Sequence, residues 1–118
     1  MSILFDVFTL GQRTRTLIHT AMRGAGLRPD EYAAYSVVFE ADGITMSEVA
    51  RQLGMPVTTA ADYVKSMVSR GHARQQAHPA NGRAYLLRLT PAGLRAHRRA
   101  SQAFDRAYPG IAARAAPA

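Results

Sequence analysis

Small polar side chains recur at helical spacing in the stretch that begins with Pro56. They share one face of a predicted helix, and they are Thr58, Thr59, Asp62, Lys65 and Ser66. A threonine can hydrogen-bond to a base edge and offer its methyl group to thymine, and the carboxylate of Asp62 can accept from a cytosine amino group. The pattern therefore predicts a helix face that reads base edges in double-stranded DNA, with Pro56 at its start.

These side chains also have structural explanations. Thr58 and Thr59 lie in the first helical turn, where a hydroxyl can cap the helix. Asp62 can pair with a neighbouring arginine or lysine. Val57 begins an apolar stripe by periodicity, but the residues alone leave its burial open.

Basic residues around this helix predict contacts with the DNA backbone. Phosphate contacts supply most of the binding energy of such complexes, and base contacts supply the choice of site. The best placed basic residues are Lys65, Arg74, Arg83 and Arg88. Ser47, near the start of the preceding helix, can donate its hydroxyl to a phosphate at that helix N-terminus.

Positive charge is concentrated in the second half of the 118-residue chain, whose formal net charge is +7. Residues 1–50 hold four arginines and six carboxylates, whereas residues 51–99 hold eight arginines, Lys65 and a single carboxylate, Asp62. A basic half is typical of proteins that bind a polyanion. A solvated basic surface is the alternative, but the coincidence with the polar helix face favours DNA.

Enzymatic and metal chemistry find little support in the residues. The chain has no cysteine, which excludes disulfides, thiol catalysis and Cys-ligated zinc. Its histidines lack the close helical spacing of a metal motif, and no G-x-S-x-G segment occurs. We expect no enzyme, no catalytic residue, no cofactor and no metal, although a zinc site formed by histidines distant in sequence stays open.

A pair of helices must position the polar face. Thr45 can cap the first helix while Glu48 reaches back to the Thr45 backbone N–H, which is a capping box. Gly54 supplies the left-handed residue that ends this helix, and Pro56 suits the first turn of the next. The second helix carries an apolar stripe behind its polar face: Val57, Ala60, Ala61, Val64, Met67 and Val68. The pair predicts a helix-turn-helix whose second helix enters a DNA groove.

Three further helices are predicted at residues 3–23, 29–41 and 91–107. The first has a broad apolar surface that must be buried by the rest of the domain or by a second copy of the chain. The last has Leu94, His97 and Phe104 as possible inner positions.

A hairpin is predicted between the helix pair and the last helix. Its strands cover residues 72–77 and 83–89, and Asn81-Gly82 between them favours a tight turn. Ile44 can add a short strand. The order of elements predicts a mainly α fold with a small β-hairpin, a winged helix-turn-helix with extra N- and C-terminal helices for dimerisation.

The sequence resembles the MarR family of transcriptional regulators and looks like a short member of it. The resemblance runs over residues 27–95 and rests on LRPDEYAAY, ITMSEVARQLGM and, above all, RAYLLRLTPAGLRA. In the last segment leucine, arginine, leucine, threonine, proline, any residue and glycine in series mark the family's second wing strand and the helix after it. The family implies a homodimer that binds palindromic promoter DNA and usually represses. Many members release DNA when a small phenolic or anionic ligand binds.

The resemblance also divides the chain. It implies one domain over residues 1–118, with residues 1–26 and 91–118 as dimerisation helices and residues 27–90 as the DNA-binding lobe. An effector pocket, if kept, lies between the first, second and last helices, and its lining is His19, Tyr32, Tyr35 and His97. Core packing explains the tyrosines equally well.

The sequence differs from the family pattern in three places. Val57 and Asp62 stand where arginine is common, and this alignment favours an exposed Val57. Asn81-Gly82 stands where the wing tip usually carries an Asp-Arg pair. The terminal helix that typically completes the dimer is absent or reduced to the stretch after Gly110, which is either a short helix or a frayed tail.

We therefore expect a sequence-specific double-stranded DNA-binding transcriptional regulator, acting as a repressor with a small-molecule effector. The alternatives are a ligand-independent DNA-binding protein, or a winged-helix module for protein interaction whose DNA binding has decayed. The N-terminus lacks the basic segment of a signal peptide, and no apolar run approaches the ~20 residues of a membrane span. A cytoplasmic protein without a membrane partner is the expectation.

Overall fold

The computed structural model describes residues 2–107 and 109, and its elements follow one another in the predicted order. The helices are α1 (Ile3–Ala21), α2 (Pro29–Glu40), α3 (Met46–Leu53), α4 (Val57–Ser69) and α5 (Pro91–Ala107), and the strands are β1 (Ala73–His78) and β2 (Asn81–Leu89). The predicted fold class, a mainly α winged helix-turn-helix with a small hairpin and a further helix on each side, is confirmed. The stretch after Gly110 lies outside the described residues.

Local capping chemistry ends α3 and begins α4. The Thr45 hydroxyl accepts from the Glu48 backbone N–H at 3.3 Å and donates to the Glu48 carboxylate at 3.0 Å. The predicted return bond from Glu48 to the Thr45 backbone is therefore wrong, because the hydroxyl serves as both donor and acceptor. Gly54 has the predicted left-handed conformation, with φ 64°. Pro56 is the N-cap of α4 and precedes the first turn in which we predicted it.

The wing is an antiparallel hairpin whose turn differs from the prediction. The turn consists of Pro79 and Ala80, and Asn81 already pairs with His78 as the first residue of β2. Proline has a fixed φ that suits the second position of a turn, and His78 Nδ1 accepts from the Ala80 backbone N–H at 3.0 Å. This local chemistry overrides the Asn-Gly preference, and Gly82 does not adopt the positive φ that the predicted turn would need. Ile44 joins the hairpin through an isolated bridge to Leu87, which confirms its short extended segment.

The junction between β2 and α5 is close-packed. The Thr90 hydroxyl accepts from the Gly93 backbone N–H at 3.1 Å and donates to the Gly71 carbonyl at 2.6 Å. The Thr90 backbone N–H donates to the His72 carbonyl at 3.0 Å. The start of α5 is thereby bonded to the start of β1, and Gly93 is buried against His72.

The core lies where α2, α3, α4, β2 and α5 meet. Its largest fully buried side chains are Tyr35, Ile44, Met67, Leu87, Val38, Val49 and Val64. On α5 the buried residues are Gly93, His97 and Ala100. His97 is inside as predicted and Phe104 is partly buried, but the prediction for Leu94 is wrong because this side chain is 41% exposed.

Helix α1 contributes little to this core, since none of its residues is buried. Only its C-terminal part, through Ile18, packs against the core cluster, and Met22 just after the helix is buried. Seven of its large apolar side chains are more than half exposed, and they are Ile3, Leu4, Phe5, Val7, Phe8, Leu10 and Leu17. Among the described residues, α1 and the other helices are too short or too polar to cross a membrane.

Candidate nucleic-acid interface

The polar face of α4 is available to a ligand, as its sequence predicts. Thr58, Thr59, Asp62 and Lys65 are exposed, and Ser66 is partly buried. The opposite face is buried in the core through Ala60, Val64 and Met67. Val57 is 50% exposed, so the first residue of the helix belongs with the polar face. The family alignment had favoured an exposed Val57, and the periodicity had favoured a buried one.

A groove of about 340 Å³ joins the starts of α3 and α4 to the wing. Ser47, Val57 and Arg83 line it, together with Tyr85 from the same strand face as Arg83. A hydroxyl at a helix N-terminus and an exposed guanidinium are both suited to bind phosphate oxygens. The structure therefore brings Ser47 and Arg83, two predicted phosphate contacts, to one concave surface beside the first turn of α4.

The other two wing arginines lie on the opposite face of the hairpin. Arg74 pairs with Arg88 across the strands, an arrangement in which like charges repel. Arg88 binds the Asp42 carboxylate and donates from Nε to Gln76 at 3.1 Å. This ion pair joins the base of the wing to the loop before α3. It also offsets part of the positive charge that Arg88 would offer to a phosphate. A phosphate contact by Arg88 stays a prediction, as does one by the exposed Arg74.

Four polar residues that the sequence did not single out hold α4 from its side. Tyr63 donates from its hydroxyl to the Asp30 carboxylate at 2.6 Å, and Arg70 donates to the Glu31 carboxylate at 2.8 Å. Burial would raise the pKa of Asp30, but the hydrogen bond from Tyr63 and the charge of Arg28 act against it, and the pKa is lowered. Nothing in the spacing of these residues could have indicated the pairs, because their members lie 33 and 39 positions apart.

The four residues predicted to line an effector pocket do not share one site. Tyr32 stacks on His97 with ring centroids 5.2 Å apart, and Phe39 covers the histidine at 4.4 Å. Tyr35 instead bonds through its hydroxyl to His72 Nδ1 at 2.7 Å. His19 is exposed on α1. The structure thus brings Tyr32 and His97 together between α2 and α5 and separates Tyr35 and His19 from them.

The burial of His97 makes the folding stability depend on pH. Its Nε2 lies 3.0 Å from the Ser36 hydroxyl, and burial lowers its pKa, against partial opposition from the charge of Glu40. Burial and the charge of Arg70 also lower the pKa of His72. An unfolded histidine has a pKa of about 6.5. Below that pH the unfolded chain therefore binds more protons than the folded chain, and folding stability falls as pH falls.

We expect the thermal midpoint to decrease as the pH is lowered from 7.5 to 5.5. His97→Gln should make this decrease smaller, because it removes a histidine whose pKa is lowered by folding. Part of it should remain because His72 is shifted in the same direction. Asp30 makes no contribution in this window, since its carboxylate stays ionised there. His19→Gln, at an exposed histidine, is the control and should keep the wild-type pH dependence. Identical slopes for His97→Gln and wild type would contradict the prediction.

No group of three or more histidines and carboxylates within residues 2–107 is arranged to hold a metal ion. The four histidines occupy separate positions: His72 and His97 are packed against tyrosines, His78 belongs to the wing turn, and His19 is on α1.

A family model described as "Sugar-specific transcriptional regulator TrmB" matches residues 22–92, which is more than half of the chain and corresponds to the winged helix. A comparison with curated proteins gives no significant match.

Solved structures of transcriptional regulators share the fold over nearly the whole chain. The PcaV regulator of Streptomyces coelicolor, in complex with its natural ligand, superposes with a TM-score of 0.79 at 24% identity, over 98% of this chain and 84% of that one. The MosR regulator of M. tuberculosis, in complex with DNA, gives 0.77 at 22% identity, over 96% and 82%. Wild-type MarR from E. coli, in its apo form, gives 0.77 at 14% identity, over 94% and 86%. The MarR-like fold is confirmed.

Proposed function

Because the chain belongs to the winged-helix transcriptional regulators that the TrmB model describes, and has the fold of MarR, we propose that it binds double-stranded DNA in a sequence-specific manner as a repressor. The observation that carries this proposal is the exposed polar face of α4 beside a groove that holds Ser47 and Arg83. Thr58, Thr59 and Asp62 would read base edges, and Lys65 and Arg83 would hold phosphates. The MosR complex with DNA supports this role.

We further propose that the protein is a homodimer that binds a palindromic operator. Residues 1–118 would form one domain, in which residues 27–90 bind DNA. The dimer interface would be formed by residues 1–26 and 91–118. The observation that supports this is the large apolar surface that α1 exposes. Two-fold symmetry would then place two α4 helices on half-sites related by the same axis.

A small-molecule effector is part of this proposal. The ligand complex of PcaV supports it, and Tyr32 and His97, whose rings stack between α2 and α5, are the residues that we propose for the effector site. The TrmB match spans only the winged helix, so it supports the regulatory function and indicates no particular effector for this chain. A cytoplasmic location and the absence of catalysis complete the proposal.

The test is selection of binding sequences from a random duplex pool, followed by gel shifts at low and high salt. Enrichment of a palindrome and salt-dependent binding support the proposal. A folded protein that binds no duplex even at low salt would overturn it in favour of a protein-interaction module. A thermal-shift screen of small molecules, with DNA release as the second readout, separates an effector-responsive repressor from a ligand-independent one.

Arg83→Ala should weaken binding to all duplexes to a similar extent, because a phosphate contact carries no sequence information. The slope of log affinity against log salt concentration should decrease by about 1 unit. Arg106→Ala is the control, since Arg106 lies beside the α1–α2 loop, away from the wing groove. Unchanged affinity and slope for Arg83→Ala in a salt titration would remove this residue from the interface.

A further inference from the structure

Two adjacent carboxylates in the first turn of α2 bind two points of the proposed recognition helix. Asp30 accepts from the Tyr63 hydroxyl at 2.6 Å, near the middle of α4. Glu31 accepts from Arg70 Nη2 at 2.8 Å, at the C-cap of α4. Tyr63 and Arg70 are seven residues apart, so they lie on one side of the helix about 10 Å from each other.

The Glu31 carboxylate is built into the fold. The residue is only 7% exposed, and each of its carboxylate oxygens has a partner: Oε1 accepts from the Arg28 backbone N–H at 2.9 Å, and Oε2 accepts from Arg70. A buried carboxylate that loses one such partner is strongly disfavoured. The pair therefore holds Arg70 in one place, whereas a surface ion pair would not.

These bonds supplement weak backbone packing between α2 and α4. Helix α2 packs mainly on α3, α5 and β2, and α4 packs mainly on α3 and β1. The face that α4 turns toward the core is formed by three apolar side chains, Ala60, Val64 and Met67. One attachment would let the helix pivot, but two attachments about 10 Å apart restrict both its tilt and its rotation about its own axis.

The attachments lie directly beside the proposed base-reading residues. A groove of about 250 Å³ is lined on one side by Arg28 and Glu31 and on the other by Thr59, Asp62, Tyr63 and Ser66. We infer that Asp30 and Glu31 are positioning residues, which set the orientation of α4 in the DNA groove and thereby its choice of sequence. This inference rests on the proposed DNA-binding function.

The main test is Tyr63→Phe, which removes one hydroxyl and changes no charge. A duplex selected by the wild-type protein and an unrelated duplex are titrated in parallel. We expect affinity for the selected duplex to fall about three- to tenfold, the range for one net hydrogen bond, and affinity for the unrelated duplex to change less than about twofold. The loss arises because base contacts need the exact placement of α4, whereas phosphate contacts tolerate small rotations.

The control is Ser36→Ala. It also removes one side-chain hydrogen bond and no charge, because the Ser36 hydroxyl lies 3.0 Å from His97 Nε2, but this bond joins α2 to α5 and leaves α4 untouched. It should lower the thermal midpoint without changing discrimination between the two duplexes. Arg70→Lys provides a second test, because it keeps the charge near the DNA and loses the planar guanidinium. It should lower discrimination in the same direction as Tyr63→Phe.

Unchanged discrimination in Tyr63→Phe and Arg70→Lys would overturn the inference, as would an equal loss in Ser36→Ala. If the wild-type protein selects no sequence, the proposed function has failed. Hydrogen exchange of the DNA-free protein then decides separately whether the bonds of Asp30 and Glu31 restrain α4. Tyr63→Phe should then speed exchange of the α4 amides more than that of the α5 amides. Unchanged α4 protection would show that the two bonds do not restrain the helix.

Discussion

Gly93→Ala is expected to remove about 3 kcal/mol or more of folding free energy. A Cβ at this position would lie 2.8 Å from the carbonyl carbon and 3.1 Å from the Cα of His72, and closer still to the carbonyl oxygen. That oxygen also accepts from the Thr90 backbone N–H, so the start of β1 and the start of α5 cannot separate without losing this bond. Overpacking a core typically costs about 1–3 kcal/mol, and more where backbone must move. Urea unfolding measures the loss.

Gly82→Ala is the matched control for this substitution. A Cβ at Gly82 would have no atom within 4 Å apart from those of Gly82 and its two chain neighbours, and the backbone there has no positive φ. We expect its stability to stay within about 0.5 kcal/mol of the wild type, as for most surface changes. A Gly93→Ala protein with the same urea midpoint as Gly82→Ala would show that the β1–α5 junction can open at no cost.

Val7→Glu should convert the proposed dimer into a monomer and reduce operator affinity by about 100-fold or more. Val7 is 61% exposed among the apolar side chains of α1, and a two-fold axis would bring two buried glutamates into one interface. Like charges at an interface cost several kcal/mol. A monomer reaches one half-site at a time and so loses the avidity of a linked pair, commonly 10²–10⁴-fold. Light scattering and gel shifts measure the two effects.

Thr16→Glu introduces the same side chain on the same helix. It lies nine residues after Val7, two and a half turns further on, and therefore on the opposite face. This variant should remain dimeric and bind the operator almost as well as the wild type. If Val7→Glu is still a dimer at micromolar concentration, the apolar side of α1 is not the interface.

The parts of the fold that the sequence predicts well are those decided by neighbouring residues. The Thr45 and Thr90 caps and the left-handed Gly54 each depend on atoms within one turn of chain. The wing turn is equally local, but there two preferences compete. Pro79 and the His78 side chain favour a turn at Pro79-Ala80, whereas Asn81-Gly82 favours one two residues later. The residue pattern alone does not show which of the two preferences is stronger.

The parts that the sequence predicts poorly depend on partners distant along the chain. An arginine in the second wing strand indicates a phosphate contact, but Arg88 meets Asp42, which lies 46 positions away. Periodicity indicates that α5 has an inner face without showing where the core ends, so Leu94 is exposed while His97 is buried. The carboxylates of α2 follow a common pattern for a helix start, which conceals their bonds to α4.

The exposure of α1 links the folding of this helix to the amount of protein present. A helix that buries none of its residues gains little from tertiary packing, and tertiary packing of an apolar face supplies most of the stability of helices in proteins. Its order would then come from association, and mass action makes such order depend on protomer concentration. A dilute protomer would keep its winged helix while α1 frays. The number of copies in the cell would accordingly set how much of the protein has a complete α1, and hence how much can occupy both halves of an operator.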